Sequence, residues 1–290
     1  MTYCLAIKVN QGLVFASDSR TSASMDDIRT YTKMHTFTPP SGALFVLLSA
    51  GNLATTQAVR AAMQRDLDEG AAQNLNGFKH MYDAAEYVAR LNVRAQRLVV
   101  QEQRAEIAGL DATFIIGGQI AGEEPTLYLI YGLGNYIAVS PDMPFLQIGE
   151  SKYGKPILDR VARLELPLED AARCALVSLD STMRSNISVA PPVDLLLYRN
   201  AEFAIKTKLR FDFDTPYYRS LRSTWGRELE AIFEKLPRFE WEPQSAAVTG
   251  PRPVGEPDAR PSPRQLAASS KVQGQQQQAP AHDEAATQPK

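Results

Sequence analysis

Met1-Thr2-Tyr3-Cys4-Leu5-Ala6-Ile7-Lys8-Val9 opens the chain, followed by Asn10-Gln11-Gly12 and then Leu13-Val14-Phe15-Ala16-Ser17-Asp18. Thr2 to Val9 alternates with a period of two. Thr2, Cys4, Ala6 and Lys8 fall on one face of a strand, and Tyr3, Leu5, Ile7 and Val9 on the other. Asn10-Gln11-Gly12 supplies a turn, and Leu13 to Ser17 continues as a second strand with Asp18 at its end. An antiparallel return of this length brings Asp18 back beside the start of the first strand, near Thr2. The chain start is thereby held in a sheet, where most termini fray.

Chemistry concentrates at Thr2. Methionine followed by a small residue is a junction that methionine removal can clear, which would leave Thr2 as a free N-terminal threonine. Such a residue carries a nucleophile and a base on one α-carbon, its hydroxyl and its own amine. An unperturbed α-amine titrates at about 7.7–8.0, so a neutral fraction exists near neutral pH. Lys33 is expected beside the Thr2 hydroxyl, where its charge lowers the pKa of the neighbouring amine and favours a developing alkoxide. Asp18 is expected to pair with Lys33 and hold it, and Arg20 is a further candidate partner. Gly51 follows the apolar run Ala43 to Ser49, and its backbone N–H is a candidate oxyanion donor. Thr21, Ser22, Gly51 and Asn52 are the candidate walls of the substrate site, with Thr21 and Gly51 pairing an extended peptide from opposite sides.

Met1-Thr2-Tyr3-Cys4, Ser17-Asp18-Ser19-Arg20-Thr21, Lys33 and Ser49-Ala50-Gly51 together resemble the N-terminal-nucleophile hydrolases of the proteasome β-subunit superfamily. Within it the chain is most similar to the Anbu branch, the bacterial ancestral β-subunits, over Thr2 to Trp241. That resemblance implies a four-layer αββα sandwich, a threonine-type peptidase and assembly into a ring or a short open helical homo-oligomer. It implies no cofactor, and a peptide or protein as substrate; whether an unfoldase feeds the chamber stays open. The helices after Gly51 and after Gly149 are expected to make the subunit contacts.

Two later motifs of the superfamily are altered. Gly149-Glu150-Ser151 stands where a Gly-Ser-Gly turn is usual. At the Asp-x-x-Ser pair the chain reads Ser185-Asn186-Ile187-Ser188, so Ser188 keeps the serine and Ser185 replaces the aspartate. Charge compensation around Lys33 and the amine then falls mostly to Asp18, helped by Glu150. Capping of a helix end is the plain alternative for Ser185 and Ser188. Two other readings of the whole stay open: a non-proteolytic amidase of the same mechanism, and a weakly active self-assembling scaffold.

The remaining chain reads as strands, two helices, strands, two helices, strands. Helices are expected at about 53–67, 78–101, 153–164, 168–184 and 217–236, whereas Thr21 to Thr32 reads as a polar loop. Helices bunched between groups of strands indicate an α+β domain with two mostly antiparallel sheets stacked face to face. That domain is expected over 1–242. From 243 to 290 the chain is rich in Pro, Gln and Ala without apolar periodicity, and is expected to be a disordered tail.

Apolar content of 44% over 290 residues can bury a sizeable core. A net charge of −2 gives no basic field for nucleic acid. No run of about 18 apolar residues calls for a membrane. Cys4 and Cys174, far apart, read as buried free thiols of a cytoplasmic protein. His35, His80 and His282 form neither a metal-ligand spacing nor a serine-histidine-acid order, so metal and triad chemistry find no support.

Overall fold

The structure is a computed structural model that describes residues 1–22, 28–103 and 109–242. Those residues belong to two units, Met1–Leu229 and Glu230–Lys290. The first unit holds the sheets and the candidate site. In the second, Phe239 and Trp241 stack on one another. The segment 243–290, expected to be disordered, lies outside the described residues.

The opening hairpin forms as the alternation requires. Strand β1 (Tyr3–Val9) pairs antiparallel with β2 (Gly12–Asp18), Cys4 opposite Ser17. On its other edge β1 pairs with β10 (Phe145–Gly149), and β2 pairs with β11 (Val193–Arg199), which pairs with β12 (Thr207–Phe211). These five strands make one antiparallel sheet, in the order β10-β1-β2-β11-β12. The other sheet runs β5 (Met34–Phe37), β6 (Leu44–Gly51), β7 (Ala112–Gln119), β8 (Thr126–Ile130) and β9 (Tyr136–Ala138) in sequence order.

Three apolar layers follow from strand alternation. Tyr3, Leu5, Ile7 and Val9 face outward from the first sheet onto Leu168, Ala175 and Leu179 of α4 (Leu168–Ser185). Leu158 of α3 (Lys155–Val161) joins that layer. Cys4, Ala6, Leu13 and Phe15 face inward and meet Val46, Leu48 and Ile115 of the second sheet. Phe45, Leu47, Phe114 and Ile116 face the far side, covered by Val59 and Met63 of α1 (Leu53–Asp68) and Ala85 and Val88 of α2 (Met81–Gln103). Helices therefore cover both outer faces of two stacked sheets, and the αββα sandwich expected from the resemblance is the observed architecture. Helix α5 (Pro216–Glu234) adds Tyr218 to the first layer. Arg222 of α5 and Arg184 of α4 both pair with the buried carboxylate of Asp180, which ties α5 to α4.

Three elements differ from the sequence expectation, the first being α3, which spans only Lys155–Val161 against the expected 153–164. Within the polar stretch 21–32, β3 (Arg20–Ser22) pairs with β4 (Ile28–Thr30), and Tyr31 N–H donates to Ser19 O at 2.8 Å beside them. A two-stranded ladder is built from backbone groups and needs no apolar period, so the pattern did not reveal it. Helix α2 starts at Met81 rather than Phe78. The Glu123 carboxylate accepts the Met81 N–H at 3.0 Å, and Asp83 accepts that of His80 at 3.3 Å, which sets the first turn there.

Phe15 is fully buried between the sheets, beside Gly117, whose missing side chain makes room for the ring. Phe15→Ala should cost about 3–5 kcal/mol in urea unfolding. His35 on β5 is pushed down to about 4 by burial and by the charges of Arg60 and Lys208. Its folded pKa lies below the unfolded value of about 6.5, so below that pH the unfolded chain binds a proton the folded chain refuses. Stability should fall by at most about 3 kcal/mol between pH 6.5 and 4, the partial exposure of the ring reducing the figure. In His35→Gln, that slope should flatten in thermal melts run across the same range.

Candidate active site

Tyr3 explains why the chain start does not fray. Its side chain is fully buried, and its hydroxyl hydrogen-bonds to Ser178 Oγ on α4 at 2.7 Å. Its N–H donates to Asp18 Oδ1 at 2.9 Å. The carbonyl of the same peptide, Thr2 O, accepts the N–H of Glu150 at 2.7 Å. In a trans peptide the N–H and C=O point in opposite directions. The peptide after Thr2 is thus gripped from β2 on one side and from the end of β10 on the other.

Asp18 is completely buried at the end of β2. The Lys33 ammonium donates to both of its carboxylate oxygens at 2.9 Å and to the Arg20 carbonyl at 2.6 Å. Lys33 is 6% exposed, so this is a buried ion pair whose three lysine donors are all satisfied. Burial pushes the Asp18 carboxyl up, opposed by the Lys33 charge and by the hydrogen bonds from Lys33 and Tyr3. Arg20 contributes its backbone carbonyl to the lysine, while its Nε has no hydrogen-bond partner among the described residues. The amine of Met1, which precedes Thr2, is held below its ordinary value of 8.0 by burial and then by Lys33, with Asp18 and Glu150 acting the other way. Thr2 itself is half-buried, and Met1 is exposed.

Gly51 ends β6 opposite Ala112. Its φ of +108° is one that side-chain-bearing residues rarely adopt, and a Cβ there would lie 2.3 Å from Asp111 O. Ser49 N–H donates to Lys33 O at 3.1 Å, on the β5 side of the strand. By strand alternation the Gly51 N–H points to that same side, level with residues that precede β5. Asn52 caps α1: its Oδ1 accepts the Thr55 N–H at 3.1 Å and its Nδ2 donates to Gly109 O at 2.9 Å. Both polar groups of Asn52 are therefore engaged within the fold. Thr21 and Ser22 lie on β3, in register with Arg29 and Ile28; their side chains are outside the described residues.

The later pair of motifs is arranged in a way the sequence did not reveal. Ser185 is the last residue of α4, and it is exposed. Ser188 is half-buried, and its N–H donates to Asn186 Oδ1 at 2.9 Å. Asn186 Nδ2 donates to Glu150 Oε2 at 2.8 Å. Glu150 is 8% exposed and its other oxygen lies 3.4 Å from the Lys152 ammonium. The structure thus gathers Thr2, Asp18, Lys33 and Glu150 around one strand end, and links Glu150 through Asn186 to Ser188. Nothing in the sequence assigns Asn186 a role; its place between the two serines is the one signal available. In the sequence Gly149 reads only as part of a turn. Its φ is +80°, and a Cβ would lie 2.0 Å from Thr2 O, so only glycine lets the chain pass this close to Thr2.

Both cysteines are buried and free. Cys4 points its thiol at Ser49 O, 3.6 Å away, and burial raises it far above the usual thiol range. Burial pushes Cys174 up to about 12. Among the described residues, no group of three or more His, Cys, Asp and Glu side chains is placed to hold a metal ion. No helix among them is long and apolar enough to cross a membrane.

No curated protein matches the chain. A family profile described as "Proteasome subunit" matches residues 2–194. Among solved structures, Anbu (ancestral beta-subunit) from Yersinia bercovieri is 41% identical, with a TM-score of 0.78, over 82% of this chain and 100% of that one. An Anbu (Gly-1) mutant from Hyphomicrobium sp. strain MC1 is 42% identical over 83% of this chain and 100% of that one, TM-score 0.77. A helical assembly of the Anbu complex from Pseudomonas aeruginosa is 44% identical over 83% and 99%, TM-score 0.75. With a family profile over residues 2–194 and more than 40% identity to solved Anbu chains covered almost end to end, the chain belongs to the proteasome subunit family, in its Anbu branch.

Proposed function

We propose that this protein is a threonine-type amide hydrolase, a proteasome-like peptidase whose nucleophile is the Thr2 hydroxyl once Met1 has been removed. The observation that carries this reading is the Asp18 carboxylate, which binds the N–H of the peptide after Thr2 and the Lys33 ammonium together. A buried cation is thereby fixed next to the residue that would carry both nucleophile and base.

In this mechanism the neutral α-amine of Thr2 takes the hydroxyl proton, and the oxygen attacks the substrate carbonyl carbon. Lys33 favours the alkoxide. The Gly51 N–H, with the N-terminal partial charge of α1, receives the negative oxygen of the tetrahedral intermediate. Its collapse breaks the C–N bond, and the leaving amine takes the proton held by the α-amine. Water activated by the same amine then cleaves the ester and frees Thr2. An extended peptide would pair its backbone along β3 at Thr21 and Ser22, with Gly51 and Asn52 opposite. The described assembly of the Pseudomonas aeruginosa relative supports self-association here, as a ring or a short open helix. A weakly active scaffold is the competing reading, and it draws on Ser185, which is exposed where the family places an acid.

Intact mass should show Met1 lost, and an epoxyketone probe should modify Thr2. Thr2→Ala should remove labelling and reduce amide cleavage by at least about 10³-fold while leaving the melting temperature unchanged. Retained Met1 would sink every hydrolase reading, whereas labelling without peptide cleavage would point to a non-peptide amide as substrate. Asp18→Asn should leave Lys33 buried without its counter-charge and cost about 3–5 kcal/mol in urea unfolding, with loss of labelling. If the freed Thr2 amine takes the low value that burial and Lys33 give the Met1 amine beside it, kcat/KM should level off below pH 8.0 and fall on the acid side as the Thr2 amine protonates.

A further inference from the structure

Glu150 is a buried carboxylate that the mechanism above does not use. Its backbone is fixed: the N–H donates to Thr2 O, and Gly149 before it is in contact with the Thr2 carbonyl. Glu150 follows directly on the last registered pair of β1 and β10, Tyr3 with Gly149, which puts it beside Thr2 on the edge of β1 away from Asp18.

Its side chain is aimed as well. Asn186 follows α4 and its amide is oriented by two contacts, Oδ1 accepting from Ser188 N–H and Nδ2 donating to Glu150 Oε2. The same Nδ2 lies 3.8 Å from Met1 Sδ, so the methionine side chain rests on the Asn186–Glu150 pair. Removing Met1 would uncover this pair at the moment it creates the Thr2 amine. A buried carboxylate with one amide and one largely exposed lysine as partners has lone pairs to spare for a cation.

We propose that Glu150, oriented by Asn186, is a positioning residue that accepts a hydrogen bond from the α-amine of Thr2 in the chain that has lost Met1. This rests on the reading of Thr2 as the N-terminal nucleophile. Glu150 takes the place of the missing acid at Ser185, but from the β10 end instead of the α4 end. The amine then sits between opposed fields. At the Met1 amine, one residue earlier, burial and then Lys33 and Arg20 disfavour the charge while Asp18 and Glu150 favour it, and the same groups would face the Thr2 amine, with Lys152 weakening Glu150 from the surface. Lys33 keeps the amine unprotonated near neutral pH, and Glu150 keeps it directed at the hydroxyl.

The test is the titration of the N-terminal amine in the full chain, followed by acetic anhydride labelling and mass spectrometry across pH. In Glu150→Gln the midpoint should move down by about one pH unit, because a negative neighbour is lost. The acid limb of the kcat/KM profile should move down with it while kcat falls. Glu150→Asp should restore part of the shift, and Asn186→Ala should reproduce it in a chain whose carboxylate is intact. Equal midpoints in the wild type and both Glu150→Gln and Asn186→Ala would overturn the proposal while leaving the hydrolase reading standing. The expected shift without any hydrolysis would support Glu150 as amine partner and overturn the hydrolase reading alone. A retained Met1 would overturn both.

Discussion

One buried ion pair orders the start of this chain. Asp18 is completely out of water, and an isolated carboxylate there would be costly; it is tolerated because Lys33 and the Tyr3 N–H supply three hydrogen bonds between them. The Lys33 ammonium spends its third donor on the Arg20 carbonyl. The same pair sets the electrostatics of the strand end, because one carboxylate holds both the Lys33 ammonium and the N–H of the peptide after Thr2. Fold and proposed chemistry thus depend on the same three groups.

Each layer of the sandwich positions one part of the site. The outer layer anchors Tyr3 through Ser178 on α4 and so fixes the first peptide of β1. The second sheet brings Gly51 to the end of β6, with α1 beginning directly beyond it. The end of α4 delivers Asn186 onto Glu150. Asp180, paired with Arg184 and Arg222, ties the C-terminal half of that helix to α5, so the helix end that carries Asn186 is braced from outside.

Much of this was legible in the sequence, for physical reasons that differ by residue. The alternation in Thr2 to Val9 gave both faces of β1, because its outward and inward side chains enter different apolar layers. Asp18 was legible because a hairpin of fixed length returns its last residue to the start. The hairpin of β3 and β4 was not, since its pairing is carried by backbone. Nor was the Glu150–Asn186 contact, which joins residues 36 positions apart through loops with no periodic signal. Gly149 could be seen as a turn, but its need to pass the Thr2 carbonyl appears only in three dimensions.

Cys4 lies two residues from Thr2 and would ordinarily complicate any covalent probe of this chain end. Its thiol is enclosed between the sheets and resists ionisation, and Cys174 is likewise protonated at neutral pH. Sulfur is the stronger nucleophile only as thiolate. The fold therefore silences its own competing sulfur, and an electrophile captured on the first tryptic peptide reports on oxygen or nitrogen chemistry alone. Mild oxidants, for the same reason, would spare the Cys4 thiol.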